Sequence, residues 1–506
     1  MTHDSTTPPT KTAASAQKTL TPSTNRKVIA LAIAGAFGGF LFGFDSSVVN
    51  GAVNAIQQEF GLNAALTGFA VACALLGAAL GAFFGGRIAD RYGRIPVMII
   101  GAAVFLLSSL GSGFAFGVVD LIVWRVLGGI GIGLASVVAP AYIAEISPRN
   151  MRGRLGSLQQ LAITIGIFTA LLSNATLSDN AGGADAEFWF GLEAWRWMFL
   201  IGAVPAVIYG VIAFLLPESP RFLVLKDREA DARAVFNKVW PGGDVDREIR
   251  DMRASIEGDR RAKTTGSLRG SSFGLKPIVW VGITLSVFQQ FVGINVIFYY
   301  STTLWEAVGF QERDSHAISV ATSVTNILVT LIAIALVDRV GRRPILLFGS
   351  VGMTASLATM AIAFSQSITV AGELSLPGAW GPIALVAANV FVISFGASWG
   401  PVVWVLLGEM FPNTIRAKAL GLAAAAQWIA NFLITVTFPP MSDASLPLTY
   451  AMYALFAALS FWFVMTKVPE TNGMSLEEAN TLLPPKNAAR NAARNAAKTA
   501  AQAPTK

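Results

Sequence analysis

Asp90-Arg91-Tyr92-Gly93-Arg94 and, later in the chain, Asp338-Arg339-Val340-Gly341-Arg342-Arg343 are two copies of one short motif, each standing just after an apolar run. A second motif also repeats. Glu145-Ile146-Ser147-Pro148 closes one apolar run, with Arg152 seven residues past the glutamate, and Glu409-Met410-Phe411-Pro412 closes another, with Arg416 seven past. Two different motifs recurring at matching helix ends mark two halves related by an axis along a membrane normal.

The rest of the chain agrees with that frame. Of its 506 residues 54% are apolar and only 13% charged, about half the charge density of a soluble protein. Twelve apolar segments stand at about 28–52, 66–89, 95–116, 118–143, 155–178, 195–216, 275–301, 315–338, 344–367, 380–407, 417–438 and 447–467. Each is roughly 20 residues long, enough to cross about 30 Å of hydrocarbon. Lipid leaves backbone polar groups no outside partner, so such segments are helices. The expected fold is all-α and polytopic: twelve transmembrane helices in two pseudo-symmetric six-helix bundles.

Lys and Arg alternate between connections. Those after segments 1, 3, 5, 9 and 11 contain essentially none, and the one after 7 has only Arg313, whereas the other set carries Arg87, Arg91, Arg94, Arg149, Arg152, Arg154, Arg339, Arg342, Arg343, Arg416, Lys418 and Lys467. By the positive-inside rule both termini are cytoplasmic. The net charge of +7 is therefore a topology signal and does not call for nucleic acid. Residues 1–26 read as a disordered tail rich in Ser, Thr and Pro, 27–216 as the first bundle, 217–274 as a charged cytoplasmic linker of amphipathic helices, 275–468 as the second bundle, and 469–506 as a cytoplasmic tail. The first apolar run is too long for a signal-peptide core and lacks a small-residue cleavage site.

One cysteine, Cys73, excludes an internal disulfide, and His3 and His316 have no partners for a metal site. No Walker A sequence occurs. The glycines at 128, 129, 131 and 133 follow no strand, so they fail the context of a nucleotide fingerprint and suit close helix packing instead. No nucleophile–base constellation appears. The chain reads as a protein without cofactor or metal, and not as an enzyme.

At this point the sequence resembles the sugar porter family of the major facilitator superfamily, over nearly the whole chain except the tails. The marks are Gly86-(x)3-Asp90-Arg91-x-Gly93-Arg94 and its second copy, Pro217-Glu218-Ser219-Pro220-Arg221, Gln289-Gln290-Phe291-Val292-Gly293-Ile294-Asn295, and Pro469-Glu470-Thr471-Asn472-Gly473. Asn472 stands where the family often has Lys. The resemblance implies the major facilitator fold, a monosaccharide as substrate, and location in the plasma membrane as a monomer.

Sugar hydroxyls both donate and accept, and so do amides; polar amides inside a membrane helix need a cavity or partner. Gln289 and Gln290 diverge by about 100° on a helix, and Asn295 and Tyr299 form an i, i+4 pair. The resemblance carries sugar binding onto Gln160, Gln289, Gln290, Asn295, Asn326, Trp404, Gln427 and Trp428, with Phe42 and Tyr299 lining the pocket. Ile167 stands where xylose–proton symporters carry a second glutamine, which removes a polar contact; proton-driven uptake of a hexose such as glucose is the favoured expectation, with a pentose or inositol as alternatives. The blander role for any one amide is an interhelical tie.

Asp45 in the first segment and Arg125 in the fourth are charges of opposite sign inside the membrane, a functional site by default. The resemblance makes Asp45 the proton acceptor of a symporter, since passive carriers commonly have Asn there. A passive uniporter and a non-transporting sugar sensor are the rivals. Finally, Asp90, Arg91, Arg94, Glu145, Arg152, Glu218, Asp338, Arg339, Arg342, Glu409, Arg416 and Glu470 are expected to form a cytoplasmic gate, an ion-pair network holding the two halves together when the outside is open.

Overall fold

The computed structural model describes residues 22–147, 151–239, 244–265, 268–370, 373–411 and 415–471. Most of both tails lies outside them. The first helix already begins at Pro22, inside the stretch expected to be tail.

Among the described residues eleven helical segments are long and apolar enough to cross a membrane, and the last, Lys418–Lys467, contains two crossings. Crossings 1 to 5 are Pro22–Val48, Ala64–Tyr92, Arg94–Gly113, Val118–Ile146 and Arg152–Ala181. Crossing 6 is Ala194–Leu200 with Ala203–Leu215, and crossing 7 is Pro277–Phe291 with Ile294–Tyr299. Crossings 8 and 9 are Glu312–Val340 and Arg342–Ser365, and crossing 10 is Trp380–Gly396 with Trp399–Met410. Crossings 11 and 12 share Arg416–Lys467, broken at Ser445 where the backbone turns extended. Three helices, Pro220–Leu225, Glu229–Val239 and Val245–Thr265, occupy the stretch between the halves. One short antiparallel hairpin, Ile368–Val370 with Glu373–Ser375, was not expected; it pairs Ile368 with Ser375 in the connection between crossings 9 and 10.

The crossings that carry the candidate charges approach backbone to backbone. A Cβ on Gly43 of crossing 1 would lie 2.0 Å from the Ile163 carbonyl of crossing 5, and one on Gly129 of crossing 4 would lie 2.0 Å from the Ala74 carbonyl of crossing 2. Only small residues permit such contact, and it draws Asp45 and Arg125 in from both sides. Outward, large apolar side chains such as Phe83, Phe214 and Phe348 are exposed by 61%, 73% and 79%. An apolar exterior around a partly polar interior is the inverse of a soluble surface and suits lipid.

Candidate functional site

Crossing 7 is interrupted at Gly293, whose φ of +85° is left-handed and whose Cβ would lie 2.7 Å from the Tyr453 ring. Glycine is required there on both counts. The break releases the helix where the amides stand. Asn295 Nδ2 donates to Gln290 Oε1 at 2.5 Å and to Asn431 Oδ1 at 2.8 Å. Gln289 Nε2 donates to the Trp399 and Gly400 carbonyls at 2.8 and 3.2 Å, in the first turn after the break in crossing 10. Gln289 therefore also ties crossings 7 and 10 together. Asn326 is buried and faces Gly396 of crossing 10.

The aromatic residues divide. Phe42 of crossing 1 and Trp428 of crossing 11 meet edge to face across the two halves at 5.5 Å between centroids. Trp404 is 43% exposed on the second segment of crossing 10. Gln160 is half-buried, and Gln427 Oε1 is buried with no hydrogen-bond partner among the described residues. The structure thus gathers Gln289, Gln290 and Asn295 into one bonded cluster, but does not bond Gln160, Asn326, Trp404 or Gln427 to it. Ile167 is packed into the apolar core.

Asp45 and Arg125 face each other with Oδ1 and Nη1 3.9 Å apart, the side chains 13% and 3% exposed. Arg125 also donates to the Val71 carbonyl at 3.4 Å and lies over the Phe199 ring. Both charges line a cavity of about 20 Å³ together with Phe42, Ser46 and Tyr299. Tyr299 belongs to the second half, so the charge pair of the first half lies against the crossing that carries the amides.

The end bearing the arginine-rich motifs is built twice on one plan. The Glu218 carboxylate accepts from the backbone N–H groups of Arg94 and Ile95 at 3.0 and 3.3 Å, an anion on a helix N-terminus. Gly93 makes room for it, since a Cβ there would be 2.3 Å from Glu218 Oε2. Arg94 Nη2 then reaches Glu145 at 2.9 Å and Asp90 at 3.2 Å, and Ser219 Oγ donates to Glu145. In the second half Glu470 accepts from Arg342 and Arg343 N–H at 3.1 and 2.9 Å, Arg342 pairs with Glu409 at 2.8 Å, and Thr471 Oγ1 donates to Glu409 at 2.6 Å.

These bonds each lie within one half of the chain: Glu218 and Glu470 cap helix N-termini, and Glu145 and Glu409 hold the arginine side chains. The gate between the halves is expected in the opposite arrangement, with the acidic end open. Arg416 Nε donates to the Phe411 carbonyl within the second half. Arg91 and Arg339 are exposed. The side chains of Arg152 and Asp338 lie outside the described residues.

Hydrogen bonds between the halves stand at the opposite, acidic end. Asn50 Nδ2 donates to the Phe298 carbonyl at 2.9 Å, and Thr302 Oγ1 returns a bond to the Asn50 carbonyl at 2.7 Å. Asn54 Nδ2 donates to Glu306 Oε2 at 2.6 Å. Glu312 Oε1 accepts from Ser178 Oγ at 2.6 Å and from Ala184 N–H at 2.9 Å. Burial pushes the Glu306 carboxyl above its ordinary value; the Asn54 bond opposes the rise and the Glu312 charge adds to it. Sequence reading missed Glu306, Glu312 and Asn431. For Asn431 a signal existed, since it lies one helical turn from Gln427 and Trp428 on the same face.

Two six-crossing halves around a buried amide cluster and a buried charge pair define a membrane carrier with a central site. The family model described as "Sugar (and other) transporter" matches residues 31–483, and the chain belongs to that family. It is 56% identical over 445 residues to a "Glucose transport protein" of Synechocystis sp., covering 88% of this chain and 95% of that one. It is 34% identical over 492 residues to the D-xylose-proton symporter of Escherichia coli (strain K12), covering 91% and 96%. The inward-open conformation of the xylose transporter XylE from E. coli superposes with a TM-score of 0.76 at 32% identity, covering 90% of this chain and all of that one. The fold is that of the major facilitator superfamily.

Proposed function

We propose that the protein takes up a monosaccharide, glucose or a related hexose, by proton symport with alternating access. The observation that carries this reading is the adjacency of two sites: the amide cluster of Gln290, Asn295 and Asn431 and the Asp45–Arg125 cavity that Tyr299 also lines. The amides supply donors and acceptors for sugar hydroxyls. Asp45 supplies a carboxyl whose charged form depends on how near Arg125 stands and how dry the site is. A change in either between two conformations binds a proton on one side and releases it on the other. The closer similarity to a glucose transport protein than to a xylose symporter, together with the packed Ile167, favours a hexose.

The basic end is read as cytoplasmic and the bonded acidic end as external, in the plasma membrane, with a single chain as the working unit. The bonds among Asn50, Asn54, Thr302, Glu306, Glu312 and Ser178 then belong to a state closed to the outside. The helix-capping networks at the basic end are read as braces that keep each half rigid, and transport rather than catalysis as the activity. Uptake of labelled glucose with unlabelled xylose, galactose, mannose and inositol as competitors tests the substrate. Glucose and its close relatives are expected to compete best; inhibition by inositol or xylose alone would overturn the hexose assignment.

A further inference from the structure

Asp45 and Arg125 are too far apart for a direct hydrogen bond. Their 3.9 Å separation exceeds the usual N–H···O range, and polar contacts beyond about 3.5 Å are commonly bridged by water. The space beside them is polar at the right points. The cavity of about 20 Å³ is lined by Asp45, Ser46, Arg125 and Tyr299 among apolar neighbours. A water needs about 10–15 Å³ measured this way and two to four polar partners. The Tyr299 hydroxyl is buried and makes no aligned hydrogen bond among the described residues, and neither does Arg125 Nε. A buried hydroxyl left unpaired is costly, so a ligand that both donates and accepts fits here.

We propose that this cavity is a binding site for one water molecule, held by Asp45, Arg125 and the Tyr299 hydroxyl, and that this water links the proton site of the first half to the sugar-binding amides of the second. The link rests on the symport reading above and adds to it the part that couples the two sites. It follows from donor direction. An ionised Asp45 only accepts, so the water donates to it, accepts from Arg125, and leaves the Tyr299 hydroxyl free to donate to the water. A protonated Asp45 donates to the water, which then donates to Tyr299, and the Tyr299 proton turns toward a neighbour. Asn431 and Ser46 lie beside that hydroxyl. Asn431 Oδ1 already accepts from Asn295 at 2.8 Å and from Thr435 at 3.2 Å. A third donor at Asn431 competes with these and frees Asn295 Nδ2 for a sugar oxygen. Protonation at Asp45 is read at Asn295 as a gained donor. No bond beyond the carboxyl O–H is made or broken. The other titratable groups facing this region are Cys73 of crossing 2, whose thiol donates to the Ala70 carbonyl, and Tyr300 of crossing 7, whose hydroxyl donates to the Thr435 carbonyl.

The test is sugar affinity at pH 5.5 and pH 7.5 in the full-length protein, read from intrinsic tryptophan fluorescence, for wild type, Asp45→Asn and Tyr299→Phe. Tyr299→Phe removes one oxygen and keeps the ring. Affinity is expected to be higher at the lower pH in wild type and level in Asp45→Asn. In Tyr299→Phe the ratio between the two pH values is expected to shrink by about five- to tenfold, the weight of about one hydrogen bond. A wild-type affinity indifferent to pH sinks the symport reading and the link together. A pH ratio abolished by Asp45→Asn but intact in Tyr299→Phe sinks the link alone. Independently of any variant, sugar addition in H₂¹⁸O should shift an infrared water O–H stretch in the wild-type protein; no isotope-sensitive band would contradict the water site.

Discussion

Glu312 is where the closed acidic end is most open to attack by one substitution. Its Oε1 accepts from Ser178 Oγ and from Ala184 N–H, both in the other half. Glu312→Ala removes both bonds, together with the 3.6 Å contact to the buried His316 one turn on in crossing 8. Hydrogen bonds to a charged group are worth about 1.5–3 kcal/mol when sheltered, but the Glu312 side chain is 36% exposed, so screening cuts the sum to about 1–2 kcal/mol. That shifts the balance of closed and open states about five- to thirtyfold toward opening. The shift can be read with Cys73→Ala as background, since Cys73 is the single cysteine, and a reporter Val49→Cys, a buried position on the wall of the Asp45 cavity. Labelling by a membrane-impermeant maleimide added outside should speed up by the same factor when Glu312→Ala is introduced. Equal or slower labelling would refute the reasoning that these bonds hold the outer end shut.

Other consequences follow from the same geometry. Asp45→Asn removes the titrating acid and should abolish accumulation of sugar against its gradient, checked by uptake into vesicles with an imposed pH difference. Asn431→Leu removes the acceptor that holds Asn295 Nδ2, so that donor is free at either pH and the ratio of sugar affinities at pH 5.5 and pH 7.5 should shrink about five- to tenfold, the weight of about one hydrogen bond; equilibrium binding of labelled sugar at the two pH values measures it. Gly93→Ala should lower the melting temperature more than Gly341→Ala. Both glycines have left-handed φ, but the added Cβ would lie 2.3 Å from Glu218 in the first case and 3.1 Å from Glu470 in the second. Because burial raises the Glu306 carboxyl above 4.5, its proton favours the closed end. Closure is strongest below 4.5 and is lost as pH rises through the raised value; Glu306→Gln should flatten that pH dependence of outside labelling.

Crossings, halves and motif positions were legible because lipid punishes unpaired backbone, so length and apolarity alone delimit helices. The Asp45–Arg125 pair was legible because two opposite charges in apolar runs have few other reasons to exist. The network at the basic end was only half legible. The repeated motifs put Arg94, Glu145, Arg342 and Glu409 at one end of the bundles, but which of them pair, and whether within or between halves, depends on where each carboxylate reaches. Glu218 and Glu470 cap helix N-termini in their own bundles, a choice made by the turns at Gly93 and Gly341. The acidic-end contacts were hidden for a different reason. Glu306, Glu312, Asn54 and Ser178 sit at helix ends where polar residues are ordinary, and only their meeting across two distant parts of the chain sets them apart. The tie from Gln289 to the carbonyls of Trp399 and Gly400 needs the break in crossing 10, which no local pattern announces.

The account stands on a sugar site and a proton site acting as one. Purified protein in liposomes, given labelled glucose outside and a proton gradient directed inward, should concentrate the sugar above the external level and draw protons in with it, seen as alkalinisation of the external medium. Sugar that merely levels across the bilayer, with no change in external pH, would contradict it.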